Sequence, residues 1–189
     1  NRPRGMKGLV VTLLLVPVLA QAGRILHSSA SVEDGIYRVG VAASINAPPD
    51  TVLRTITDYA NLTAINSSIL ESTVLQKFSP TRYRVRTRMR VCILVFCRDV
   101  LQVQDVEQLD MTHLVADIVP EHSDFSAGRA EWTLEGSPDQ TVLSFNAWVE
   151  PSFWVPPVIG AWLFRRKVVS EMLATSLYME RDAMEQVGP

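Results

Sequence analysis

The last forty residues limit the fold most. Glu150-Pro151-Ser152-Phe153-Trp154-Val155-Pro156-Pro157 ends a strand-like run at an aromatic corner punctuated by prolines, and after Gly160 the chain carries no Gly or Pro until Gly188. Proline fixes φ and lacks an N–H, so it stops a strand, and a long stretch without either breaker favours a helix. The spacing predicts a helix over 158–184. Val158, Trp162, Val169, Leu173, Leu177 and Met184 follow steps of four or seven and form an apolar stripe. Arg165, Arg166, Lys167, Glu171, Glu180, Arg181 and Asp182 are its polar complement. A helix of that length needs a large apolar surface to lie on. A curved sheet gripping the helix supplies one, with room between them for a greasy ligand.

The preceding residues read as short strands joined by turns. Ile36 to Ile45 alternates with Tyr37, Val39, Val41, Ala43 and Ile45 on one face. Asn46-Ala47-Pro48-Pro49-Asp50 breaks it and opens a short helix, with Val52, Leu53 and Ile56 on its apolar side. Further strands are predicted at 69–78, 82–91, 100–106, 111–119, 128–135 and 141–149. In the third, Arg82, Arg84, Arg86, Arg88 and Arg90 alternate with Tyr83, Val85, Thr87, Met89 and Val91. That pattern reads as a solvated cationic face over an apolar inner face, or as an anion or membrane-surface patch. The near-regular spacing of strands and turns implies an antiparallel sheet.

The chain begins with the three-part pattern of a secretory signal: Arg2, Arg4 and Lys7, then an apolar run from Leu9 to Ala20, then the small-x-small site Ala20-Gln21-Ala22. About a dozen apolar residues span roughly 18 Å as a helix, short of a hydrocarbon core of roughly 30 Å. An uncleaved anchor is the alternative. The division expected is therefore a signal peptide at 1–22, a polar leader at 23–35 and one domain at 36–186. Export, most simply to a periplasm or the outside of the cell, places the two cysteines in an oxidising compartment. Across a hairpin, Cys92 and Cys97 stand opposite each other and can bridge; two buried free thiols are the other reading. A bridge sets Arg90 opposite Asp99 and Arg84 opposite Asp105, which favours pairing. The same register sets Leu101 and Val103 opposite Arg88 and Arg86, a conflict that a bulge or another register would resolve. A net charge of −2 gives no basis for nucleic-acid binding.

Three segments in this order are similar to the START-like SRPBCC superfamily, with the polyketide cyclase/coenzyme Q-binding branch nearest: Ala47-Pro48-Pro49-Asp50-Thr51-Val52 leading to Thr57-Asp58-Tyr59, Gly128-Arg129-Ala130-Glu131-Trp132-Thr133-Leu134, and Pro151 to Pro157 with the helix that follows. The resemblance covers roughly residues 36–186. It implies an α+β helix-grip fold, a curved antiparallel sheet of about six or seven strands around the C-terminal helix. It also implies a cavity for a lipid, sterol, quinone or polyketide-like molecule. The export pattern and the Cys92/Cys97 hairpin depart from the superfamily and weigh against a mitochondrial quinone role or a cytoplasmic cyclase role.

Catalytic constellations are thin. Asp117, Glu121, His122 and Asp124 cluster in sequence, but loop polarity explains them, and no Gly-x-Ser-x-Gly, phosphate loop or zinc motif is present. No catalytic residue, metal or cofactor is assigned. Val85, Met89, Trp132, Phe145, Trp162, Val169, Met172 and Leu173 are the candidate cavity walls. Leu94 and Phe96 in the hairpin tip, and Phe153 and Trp154 at the corner, are candidate membrane or entrance contacts. The function expected is an exported carrier or binding protein for a hydrophobic small molecule. A cyclase or hydratase using the same cavity, and a non-catalytic module of a membrane assembly, are the alternatives.

Overall fold

The computed structural model describes residues 23–187. The signal-peptide expectation lies outside them. Eight strands form one antiparallel sheet: β1 (Arg24–Glu33), β2 (Ile36–Ile45), β3 (Ile69–Lys77), β4 (Arg82–Ile93), β5 (Phe96–Gln108), β6 (His113–Ile118), β7 (Phe125–Ser137) and β8 (Gln140–Pro151). Their order across the sheet is β1-β2-β8-β7-β6-β5-β4-β3. Two short helices, α1 (Pro49–Thr57) and α2 (Leu62–Ile65), connect β2 to β3, and the long helix α3 (Ala161–Val187) closes the chain. This is the helix-grip arrangement, with one strand more than expected.

The additional strand is β1, which corrects the polar-leader reading of residues 23–35. It pairs with β2 along its length, Ala30 opposite Val39 and Glu33 opposite Ile36. As an edge strand it is half-exposed on both faces, so Ser28, Ser29 and Ser31 are tolerated and no alternation shows. Asp34-Gly35 joins the two strands, with φ of 51° and 80°. Two successive left-handed residues make the tight hairpin turn for which Asp-Gly is the strongest local signal.

Helix α3 begins three residues later than expected, at Ala161, and packs chiefly on β1 and β2. The face it buries is not the predicted stripe. Met172, Ser176, Met179 and Ala183 are buried, whereas Trp162, Leu177 and Met184 are exposed. Small residues let the helix approach the sheet closely, and a reading that ranks positions by side-chain size passes over Ser176 and Ala183. These residues join Val41, Ala43, Ile45, Val52, Leu114, Leu134 and Leu143 in the main core. The core fills one end of the grip. The other end is open.

The β4–β5 hairpin has the register that a Cys92–Cys97 bridge requires, with no bulge, and the disulfide is formed. The pairing of Leu101 with Arg88 and of Val103 with Arg86 stands without a shift. Ser123 Oγ accepts a hydrogen bond from the Val103 N–H at 2.8 Å, and the Asp124 carboxylate accepts one from the Leu101 N–H at 2.7 Å. The 119–124 segment thus runs along the edge of β5 beside the Leu101 and Val103 backbone, and Val103 is buried although Arg86 opposite it is exposed.

Candidate functional site

Where the sheet curves away from α3, a cavity of about 780 Å³ opens between them. Its floor is the inner face of the sheet. Val85 and Met89 come from β4, Trp132 from β7, and Phe145 and Ala147 from β8; α3 contributes Phe164, Val168 and Met172. Strand alternation sends these side chains to one face. Trp132 and Phe145 pack at 5.2 Å between ring centroids, tilted by 42°, and both also pack against the closed core.

Of the eight expected wall residues, Val85, Met89, Trp132, Phe145 and Met172 line this space. Val169 packs against the closed core instead. Leu173 is half-buried outside the lining. Trp162 is 59% exposed, with the Arg166 guanidinium 5.7 Å from its ring centroid. The face of α3 turned to the cavity carries Phe164, Val168, Glu171, Met172 and Thr175. It is rotated from the stripe that the sequence favours because Trp162 and Leu173 are the larger apolar residues.

Sequence reasoning also missed the polar groups of the wall. On β5, Gln102 and Gln104 face inward opposite Thr87 and Val85, and both line the cavity. The inversion has one cause. The uninterrupted β4–β5 register places Gln102 and Gln104 on the face shared by Thr87 and Val85, and so leaves Leu101 and Val103 on the arginine face, where Leu101 is exposed and Val103 buried. The signal was the alternation Val100-x-Gln102-x-Gln104-x-Val106, which the Cys92–Cys97 register sets opposite Met89, Thr87, Val85 and Tyr83. Tyr59 is a further lining residue. Burial, with the neighbouring Tyr83, pushes its phenol up to about 12, so it stays a neutral hydroxyl at physiological pH.

A polar cluster borders the cavity where α2, β3 and α3 meet. Glu171 accepts a hydrogen bond from Ser68 Oγ at 2.8 Å and pairs with Lys167, whose Nζ also lies 3.0 Å from Ser68 Oγ. Burial pushes the Glu171 carboxyl up, but the hydrogen bonds from Lys167 and Ser68 outweigh it and hold the group below the ordinary range. The pair is therefore ionised and internally neutralised.

Two apolar prominences flank the opening. The turn between β4 and β5 presents Leu94 and Val95, 69% and 88% exposed, and Val95, Phe96 and Cys97 reach the cavity lining. Leu94 has φ of 56°, a left-handed backbone that costs a branched residue about 1–2 kcal/mol where Gly or Asn would fit. At the corner after β8, Trp154 is 74% exposed. Its neighbour Phe153 turns inward, packing on Phe125 at 6.1 Å, with the Arg98 guanidinium 4.3 Å from its ring centroid.

The arginine row of β4 faces outward and is largely neutralised. Arg84 makes a two-pronged pair with Asp105 at 2.7 and 2.9 Å, Arg90 one with Asp99 at 2.7 and 3.0 Å, and Arg88 reaches Glu71 at 2.6 Å. The paired arrangement matches a solvated outer face. Asp117 is likewise paired, with Arg129, and Asp124 is engaged by the Leu101 backbone. Among the described residues no cluster of His, Cys, Asp or Glu has metal-binding geometry.

Helix, sheet and open cavity together define a START-like helix-grip protein. Residues 37–185 match the family described as polyketide cyclase / dehydrase and lipid transport, and the chain belongs to that family. The fold is similar to a START superfamily protein from Mycobacterium smegmatis, 18% identical, over 80% of this chain and 99% of that one, with a TM-score of 0.60. It is similar to the Zhui aromatase/cyclase from Streptomyces sp. R1128, 13% identical, over 81% and 96% of the two chains, with a TM-score of 0.62. Human STARD10 matches at 11% identity over 88% and 77%, with a TM-score of 0.56. No curated protein sequence matches this chain. At these identities the structural likenesses establish the fold.

Proposed function

We propose that this protein is an exported carrier or binding protein for a hydrophobic small molecule held between the sheet and α3. The observation that supports this most is the cavity of about 780 Å³ with Gln102, Gln104, Thr87 and Tyr59 set into an otherwise apolar wall. A volume of that size falls in the range of ligand pockets, and apolar walls with a few placed polar groups are the usual pattern of such sites. Gln102 and Gln104 are half-buried at the wall, where their amides can bond the polar end of a ligand. The preferred ligand is thus an apolar molecule with a hydrogen-bonding end. The disulfide at the hairpin is compatible with an oxidising compartment, and none of the described helices is long and apolar enough to cross a membrane.

A cyclase or hydratase has less support. Lys167 and Glu171 border the cavity, yet they neutralise each other and share Ser68. A merely structural module is disfavoured because the space is not filled by side chains.

The exposed tips suggest how a ligand passes. Leu94, Val95 and Trp154 lie beside the opening and form the surface that dips into a bilayer. Co-sedimentation with liposomes tests this: the mature chain is expected to bind, and a variant carrying Leu94→Asp and Trp154→Asp to lose binding. Equal, negligible binding of both defeats the docking idea. The cavity itself is tested by uptake of a fluorescent apolar probe and its displacement by lipids, quinones and sterols. Displacement by one class, weakened by Gln102→Leu with Gln104→Leu, supports the reading. No uptake by the unaltered protein refutes it.

A further inference from the structure

Gly23 is buried against α3, and its backbone N–H donates to Glu180 Oε2 at 3.1 Å. The other carboxylate oxygen accepts the Asn46 N–H at 2.8 Å. Glu180 is only 8% exposed, and among the described residues no Lys, Arg or His side chain forms an ion pair with it. A buried carboxylate without a countercharge is destabilising, and two backbone donors offset only part of that cost. The site also requires glycine. A Cβ on residue 23 would lie 2.7 Å from the Cβ of Ser176, which is fully buried and holds its own hydrogen bond to the Met172 carbonyl.

Among the described residues Glu180 has no countercharge, and its backbone donor Gly23 directly follows the cleavage site expected from the sequence, on which this inference rests. Ala20-Gln21-Ala22 is the small-x-small pattern, and Gly23 is the residue that follows it. We propose that leader removal after Ala22 generates a cation beside Glu180, at the nitrogen that already bonds its carboxylate. Hydrolysis of the 22–23 peptide bond consumes one water: the hydroxyl goes to the Ala22 carbonyl carbon, the proton to the Gly23 nitrogen. The released α-amine is protonated at neutral pH, since such groups titrate near 7.7–8.0. Processing thereby turns a neutral amide–carboxylate bond into an ammonium–carboxylate pair. The pair clamps the start of β1 and the β2–α1 connection to α3. Maturation and final stability are coupled through one residue pair, at the opposite end of the grip from the open cavity.

The full chain is expressed through its export route and the product weighed intact. The expected product begins at Gly23. Thermal unfolding is then compared for four exported proteins: the natural chain, Glu180→Gln, a chain with one alanine inserted after Ala22, and both changes together. In the natural product E180Q is expected to lower Tm by on the order of 5 °C. In the inserted product, where residue 23 keeps an amide, the same change is expected to lower it by less than roughly half of that. An equal E180Q effect in both backgrounds overturns the proposal, as does a product that begins elsewhere or keeps its leader. Because E180Q can impair folding, the labelling rate of the Gly23 α-amine in the natural product is measured as well. At least about a tenfold slowing relative to the urea-unfolded chain is expected, and full reactivity in the folded protein also overturns it. Probe uptake by the cavity is independent of every one of these readouts.

Discussion

Ala147→Phe separates an open cavity from a packed core. Ala147 sits on the inner face of β8, opposite Val39 and Ala130, and borders the space between sheet and helix. In a close-packed interior a new ring forces neighbours off their rotamers and costs about 1–3 kcal/mol. Here the ring has space. If it removes about 100 Å² of apolar surface from water, the gain at about 25 cal/mol per Å² is roughly 2.5 kcal/mol. One side of the ring still faces the cavity, so about half of that, near 1 kcal/mol, is the reasonable expectation. Ala43→Phe is the control. Ala43 is fully buried in the closed core under α3, and the same ring there is expected to cost about 3 kcal/mol or to prevent folding. Urea unfolding of ligand-free protein measures both, and probe uptake follows the ligand site. The account expects Ala147→Phe to be neutral or slightly stabilising with reduced uptake. A loss above about 1 kcal/mol there, or undiminished uptake, refutes the reasoning.

Other expectations follow from single contacts. Met179→Ala, at a fully buried position of α3, is expected to lose about 2–5 kcal/mol by urea unfolding. Reducing the Cys92–Cys97 bridge, which closes a loop of sequence separation 5, is expected to cost about 2 kcal/mol, with probe uptake retained if the hairpin register persists. The folded Glu171 carboxyl is held below its usual range, so its contribution is present above the unfolded value and is lost as pH falls through the folded one. Glu171→Gln is therefore expected to flatten the acid limb of the stability profile below about pH 4.3. An unchanged limb assigns acid sensitivity to other carboxylates, with Asp99 and Asp105 next, since hydrogen bonds from Arg90 and Arg84 lower them.

The strands with one solvated face were legible because alternation survives in them. Arg82 to Val91 and Gly128 to Glu135 show it, and opposite charges even set the β4–β5 register. Edge strand β1 was not legible from alternation, because both its faces are half-wet; only Asp34-Gly35 marked it. The buried face of α3 was misplaced because its apolar residues are spread round the helix, and only contact with the sheet tells Ser176 and Met179 from Leu177 and Met184. Gln102 and Gln104 were hidden because polar residues in a strand read as a solvated face; only the β4–β5 register, which sets them opposite Thr87 and Val85, turns them inward. The apolar walls from Val85, Met89, Trp132 and Phe145 could be anticipated; the polar groups that select among ligands could not.

Native mass spectrometry of the protein, purified without detergent from its own host, reads directly whether the cavity holds a ligand. The expected mass exceeds that of the bare disulfide-bonded polypeptide. Solvent extraction should remove the excess as an apolar molecule with a hydrogen-bonding end, and Ala147→Phe should reduce its occupancy. A bare polypeptide that also takes up none of the lipids, quinones or sterols offered to it would contradict the proposed function.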